Sequence, residues 1–251
     1  MDPSFIRYED LHKRFGENRV LRGVTLEVQR GETLVILGGS GSGKSVLLRH
    51  TIGLMVPNRG RVVVDGRDLS GLTEEELMPV RKKVGMLFQG SALFDSMNVH
   101  ENVAYALREH TSLTEEDIAE RVREKLALVE LDSSVEKRMP ADLSGGMRKR
   151  VALARAIALE PAGILYDEPT TGLDPITARA INMLIRNLQR TLHVTSVVVT
   201  HDIASAFMVG DRIAFLAEGE MVFIGSVGEA RSCRDPRLRA FLADANGGGV
   251  A

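Results

Sequence analysis

Eight residues, Gly38-Gly39-Ser40-Gly41-Ser42-Gly43-Lys44-Ser45, have the spacing G-x-x-x-x-G-K-[ST]. The chemistry that needs this spacing is anion binding. A turn with few side chains lets successive backbone N–H groups converge on phosphate oxygens. A helix opening at the end of the run adds the partial positive charge of its N-terminus. Lys44 is then placed for the β- and γ-phosphates of a nucleotide, and the Ser45 hydroxyl for Mg²⁺.

A second group of residues could complete that chemistry. Ile164-Leu165-Tyr166-Asp167-Glu168 is an apolar run ending in paired acids. A buried strand ending in Asp167 would anchor Mg²⁺ beside Ser45. Glu168, one residue on, points elsewhere and is suited to polarising an attacking water as general base. His201 follows another apolar run, Val194–Thr200. Parallel sheets place ligands at the carboxyl ends of their strands, so His201 is expected on the rim with Asp167, near a γ-phosphate. Leu143-Ser144-Gly145-Gly146-Met147 precedes a further helix, and its serine hydroxyl and glycine N–H groups form a second anion-binding terminus.

The elements that must hold these groups follow from periodicity. Thr33–Leu37, Val84–Phe88, Ile164–Tyr166 and Ser196–Thr200 read as buried strands between helical segments, an α/β pattern with a largely parallel sheet. Val24–Val28 and Arg61–Val64 alternate instead, with Gly31 and Gly60 marking turns, so an antiparallel sheet is expected in the first third. Thr114 caps a helix whose face is Ile118, Val122, Leu126 and Val129. Asp174 and Pro175 open another, with Ile181, Leu184, Ile185 and Leu188 as its core stripe. Ile213–Ala217 and Met221–Gly225 predict a hairpin.

Composition narrows the function classes. The net charge of −2 leaves no basic excess for holding nucleic acid, so anions must be held by local geometry. One cysteine, Cys233, excludes an intramolecular disulfide and reads as an incidental thiol. No apolar run approaches the ~20 residues of a membrane span, and the first residues do not resemble a signal peptide. A cytosolic protein that meets a membrane only through a partner is expected.

With these motifs in this order, the sequence resembles the ABC transporter ATPases over nearly its whole length. The resemblance implies Phe15 as the ring that stacks on adenine, Gln89 as a catalytic and Mg²⁺-binding residue with Ser45 and Asp167, and Glu168 and His201 as the hydrolytic pair. Thr171-Gly172-Leu173-Asp174 matches the D-loop and Leu143–Met147 the signature segment. It implies a P-loop NTPase (RecA-like) core carrying an N-terminal antiparallel β subdomain and a helical subdomain inserted over about 90–158. These form one domain over 5–240, with a flexible tail at 241–251. It also implies ATP and Mg²⁺ as ligands. A second copy is expected to form an isologous dimer, with each ATP held by one copy's P-loop and the other's signature. The segment after Gln89 is where a membrane permease would dock, with Leu93, Phe94 and Met97 as contacts.

The stretches SGGMRKRVALARAIALEPAGILYDEPTTGLDPITA and GMLFQGSALFDSMNVHENVAYALREHT resemble a narrower group, the Mla-type phospholipid transport ATPases. There Met147 and Arg148-Lys149-Arg150 replace a glutamine-rich stretch. That group implies a place on the cytoplasmic face of a diderm inner membrane, a permease, a periplasmic MCE lipid-binding protein and a small regulatory subunit. The alternative is a soluble ABC ATPase acting as a nucleotide-gated module, for example in metal-cluster assembly.

Overall fold

Strand β3 (Thr33–Leu37) is buried at every residue and serves two cores at once. Val35 and Leu37 join one cluster, Leu34 and Ile36 the other. Burial on both faces is why this strand reads as an unbroken apolar run. The computed structural model describes residues 4–245. In it β3 belongs to a six-stranded sheet with β6 (Val84–Leu87), β7 (Gly163–Asp167), β8 (Thr195–Thr200), β9 (Arg212–Ala217) and β10 (Glu220–Ser226). The order is β10-β9-β3-β8-β7-β6. All neighbours run parallel except the β9–β10 hairpin. The expected buried strands and hairpin are therefore present, with ends shifted by about a residue.

The antiparallel sheet joins β1 (Ser4–Phe15), β2 (Asn18–Gln29), β4 (Arg59–Val64) and β5 (Arg67–Asp68) in the order β2-β1-β4-β5. Val24–Val28 and Arg61–Val64 both lie in it, but each pairs with β1, which the pattern of the first residues does not announce. The reason is a bulge. Asp10 has φ 47 and the register slips around Leu11, so apolar alternation breaks in mid-strand. Gly60 corrects a second expectation: it lies inside β4 rather than at a turn. A Cβ there would come within 2.2 Å of the Asp10 carbonyl oxygen, so the bulge itself requires a residue without one.

Helices cover the outer face of the parallel sheet. α5 (Gly145–Ala156) packs on β6 and α6 (Pro175–Leu192) on α5, while α3 (Val99–His110) and α4 (Glu115–Leu128) pack on α5 and on each other, and the buried faces of all four join the larger cluster. The opposite face packs on the antiparallel sheet and α1 (Lys44–Thr51). Thr114 caps α4 through a reciprocal box with Asp117, and Ile118, Val122, Leu126 and Val129 are buried as the periodicity predicts. The described chain also holds α2 (Glu74–Lys83), α7 (Ile203–Val209), α8 (Val227–Ser232), α9 (Pro236–Ala245) and two short 3-10 turns at Ser133–Val135 and Pro140–Asp142. α9 differs from the tail expected at 241–251. It stays helical to Ala245, because Phe241 packs on Phe215 with ring centroids 5.2 Å apart. Residues 246–251 lie outside the described residues. No helix among the described residues is long and apolar enough to cross a membrane.

Candidate functional site

The glycine-rich loop links the carboxyl end of β3 to α1. A Cβ on Gly38 would lie 2.3 Å from the Leu216 carbonyl oxygen of β9, so the loop can start here only without a side chain. Gly43 precedes α1 in a left-handed conformation and offers no side-chain cap, whereas α2 to α8 each receive one. The first N–H groups of α1 are thus left for a ligand, and the helix end attracts an anion. Gly38→Ala is expected to lower unfolding stability by about 2 kcal/mol, as overpacking does, and to weaken nucleotide binding about tenfold. Denaturant unfolding and fluorescent-nucleotide titration check both. A variant with unchanged stability and affinity would contradict the close-packing argument.

Lys44 is almost fully buried, and its ammonium donates to the carbonyls of Gly38 and Gly39 at 2.8 and 2.9 Å. Its Nζ also lies 3.6 Å from Glu168 Oε1. Burial pushes its pKa down, while Glu168 and Asp167 oppose the fall. The ammonium bridges loop and acids, at the place where phosphates would compete for it. Ser45 Oγ donates to Asp167 Oδ1 at 2.7 Å. Hard oxygen ligands this close suit Mg²⁺, which commonly takes one carboxylate, a hydroxyl, waters and substrate phosphates. The donor set therefore fits the metal.

The paired acids serve different partners. Asp167 ends β7 and faces Ser45. Glu168 has φ 47, and its amide donates to Val199 O at 3.0 Å. A left-handed residue of this type costs about 1–3 kcal/mol and persists only where its surroundings hold it. Glu168 Oε2 accepts from Thr171 Oγ1 at 3.2 Å and Thr200 Oγ1 at 3.4 Å, and lies 2.9 Å from His201 Nδ1. A carboxylate accepts only, so Nδ1 carries the proton in this pair and Nε2 faces away from it. The backbone turn is what brings Glu168 to His201, whose side chain is 56% exposed on the rim.

The remaining predicted residues fall in separate places. Phe15 ends β1 and is 47% exposed, with the Lys13 ammonium 5.3 Å from its ring centroid. Its hairpin partner β2 carries Val20 and Leu21 against Gly43 of the loop. Ser144 caps α5, its hydroxyl accepting from Met147 N–H at 3.3 Å. Gly146 packs so closely on Thr177 that a Cβ would lie 2.6 Å from its methyl group. Asp174 caps α6 by accepting from Ile176 and Thr177 N–H, both at 3.0 Å. Gln89 is exposed, and among the described residues its side chain has no hydrogen-bond partner; its carbonyl accepts from the Lys149 ammonium. Sequence reasoning missed Thr171 and Thr200 as partners of Glu168 and Lys149 as the partner of Gln89. Only the Glu168 turn and the packing of α5 on β6 bring these groups together.

A glycine loop between strand and helix, with a hydroxyl, a lysine and two acids converging on it, defines a P-loop nucleotide site. Residues 21–171 match the family model described as ABC transporter. The chain is 43% identical over 237 residues to the probable ribonucleotide transport ATP-binding protein mkl of Mycobacterium tuberculosis (strain ATCC 25618 / H37Rv), covering 94% of this chain and 66% of that protein. It thus spans slightly less than two thirds of that relative's length. It is also 43% identical over 239 residues to the intermembrane phospholipid transport system ATP-binding protein MlaF of Escherichia coli (strain K12), covering 95% of this chain and 88% of MlaF. Among solved structures, the dimeric ATP-binding cassette MJ0796 in a post-hydrolysis state with ADP and Pi superposes with a TM-score of 0.82 at 35% identity, over 88% of this chain and 98% of that one. The chain belongs to the ABC transporter family, and its loop, lysine and paired acids form the nucleotide site of an ATP-binding component.

Proposed function

We propose that the chain works as a homodimer at the cytoplasmic face of a bacterial inner membrane, powering a permease that moves phospholipid between inner and outer membranes. The observation that carries this reading is the near end-to-end likeness to MlaF, 43% over 95% of one chain and 88% of the other. A periplasmic MCE lipid-binding protein and a small regulatory subunit belong to the same proposal.

Within the site, Lys44, the loop amides and the first turn of α1 bind and orient the β- and γ-phosphates, and Phe15 stacks on the adenine. Ser45, Asp167 and Gln89 hold Mg²⁺, which neutralises charge on the phosphate oxygens when bound. Glu168 accepts a proton from the attacking water, and His201 turns its exposed edge toward the γ-phosphate. Ser144 and the glycines beside it, at the N-terminus of α5, bind the γ-phosphate of the ATP held by the other copy, and Asp174 belongs to the same interface.

The permease docks in an apolar groove of about 460 Å³ whose lining includes Leu54, Met86, Phe88, Phe94 and Tyr105. Phe94 is 41% exposed there, its ring 5.1 Å from that of Tyr105. Of the other docking residues read from the sequence, Leu93 packs against the main core instead. The test is to tag the protein, solubilise membranes gently and identify what elutes with it by mass spectrometry. A multi-span permease arriving with an MCE protein and phospholipid is the expected result. Elution alone or with soluble partners would overturn the transporter reading, and co-eluting ribonucleotide without lipid would favour the cargo that mkl's name states.

A further inference from the structure

The loop after β6 is held in an unusual way. Ser91 and Ala92 are consecutive non-glycine residues at φ 65 and φ 50, each costing about 1–3 kcal/mol unless its surroundings impose it. A turn bond from Ser91 N–H to Phe88 O at 2.9 Å closes the loop, and the side chains that grip its carbonyls come from α5. The Lys149 ammonium donates to Gln89 O, and the Arg155 guanidinium donates to Ala92 O at 2.8 Å and Ser91 O at 3.1 Å. Three backbone carbonyls are thus gripped by two cations of one helix.

Lys149 is 5% exposed, and the partner its ammonium meets is a neutral carbonyl, Gln89 O, rather than a carboxylate. Taking an ammonium out of water is costly, so its position calls for compensation. The Gln89 carbonyl supplies a charge-assisted hydrogen bond, and the field of Asp167 and Glu168 favours the cation. A glutamine or leucine here would fill the space without that electrostatic cost. The cation is therefore placed to act on something, and what it touches is the backbone of Gln89.

We propose that Lys149 is a positioning residue for Gln89, fixing the loop 89–92 from the same helix whose N-terminus carries Ser144. This rests on the site reading above, in which Gln89 joins the metal site. Ser144 and Lys149 are five residues apart on one rigid element, about 7.5 Å along its axis. A shift of α5 when Ser144 meets the other copy's nucleotide then moves the Gln89 backbone directly, with no flexible segment between.

The experiment uses the full chain with Lys149→Met, Lys149→Gln and Gln89→Ala, alone and with Lys149→Met and Gln89→Ala combined. For Lys149→Met, kcat is expected to fall about tenfold with KM for MgATP moved less than about twofold, since the phosphate loop is untouched. Amide hydrogen exchange at residues 89–92 should speed up in the same variant. Lys149→Gln, which can still donate to the carbonyl, should recover most of the turnover. In the Gln89→Ala background, Lys149→Met should cost less than about twofold, because residues acting through one another are not additive. Unchanged exchange at 89–92, or full additivity with Gln89→Ala, would overturn the proposal. Should Lys149→Met not fold, a wild-type exchange pattern and kcat in Lys149→Gln sustain it, and a tenfold loss there overturns it. If Gln89→Ala itself leaves kcat unchanged, it is the role of Gln89 that fails, a result distinct from failure of the Lys149 contact.

Discussion

Replacing Glu168 by Gln is expected to lower ATP turnover about a thousandfold while leaving ATP binding intact, since removing a general base costs between 10² and 10⁴ in rate. The amide matches the carboxylate in shape and keeps an oxygen for Thr171 and Thr200, so the left-handed turn at 168 survives. What is lost is the capacity to take a proton. Lys44 keeps both carbonyl partners and the loop keeps its donors, so the ATP affinity of single protomers should change little. ATP that binds without being cleaved should hold two copies together, and size-exclusion chromatography with MgATP should show a dimer that wild type forms only transiently. Steady-state phosphate release is the primary readout. Turnover within tenfold of wild type would remove Glu168 from the base role and leave the water without one on this rim.

Ser144→Arg is expected to reduce turnover at least about a hundredfold, as loss of a hydrogen-bond donor to a reacting phosphate does, while protomers still bind nucleotide. Within one copy the Ser144 hydroxyl engages the Met147 N–H at the start of α5, and the loop at Gly38–Ser45 takes its contacts from β9, β2 and Asp167. Losing the cap costs about 1 kcal/mol of stability, which leaves a folded protein to assay. Mixing supplies the sharper measurement. A copy with Ser144→Arg and a copy with Lys44→Ala are each inactive alone, but paired they contain one site with an intact P-loop and an intact signature. Recovery of turnover on mixing is expected. If Ser144→Arg instead abolishes binding to single protomers, the signature segment belongs to its own copy's site and the arrangement across two copies falls.

The contrast between those residues shows what kind of information each element carried. The loop at 38–45, the strand ends at 167 and 200, and the caps at Thr114 and Asp174 are local patterns. Their chemistry depends on neighbours a few residues away, so spacing alone announces them. β1 was not legible because its alternation breaks at Asp10, and Gly60 read as a turn because its true constraint, the Asp10 carbonyl, lies 50 residues away. The helical end of the chain to Ala245 was hidden for the same reason: its anchor, Phe215, is on a distant strand.

By itself the sequence determined the glycine-rich loop, the paired acids at the end of a buried strand, the parallel core and the antiparallel sheet beside it. It did so because glycine spacing, apolar periodicity and capping residues act over a turn or a strand. Tertiary structure alone decided that Glu168 turns through φ 47 to meet His201, Thr171 and Thr200, although Asp167 beside it faces Ser45. It alone decided that a lysine 60 residues from Gln89 is buried against its backbone. Those contacts depend on how β6, β7, β8 and α5 stack, and side chains brought together by stacking leave no periodic trace along the chain.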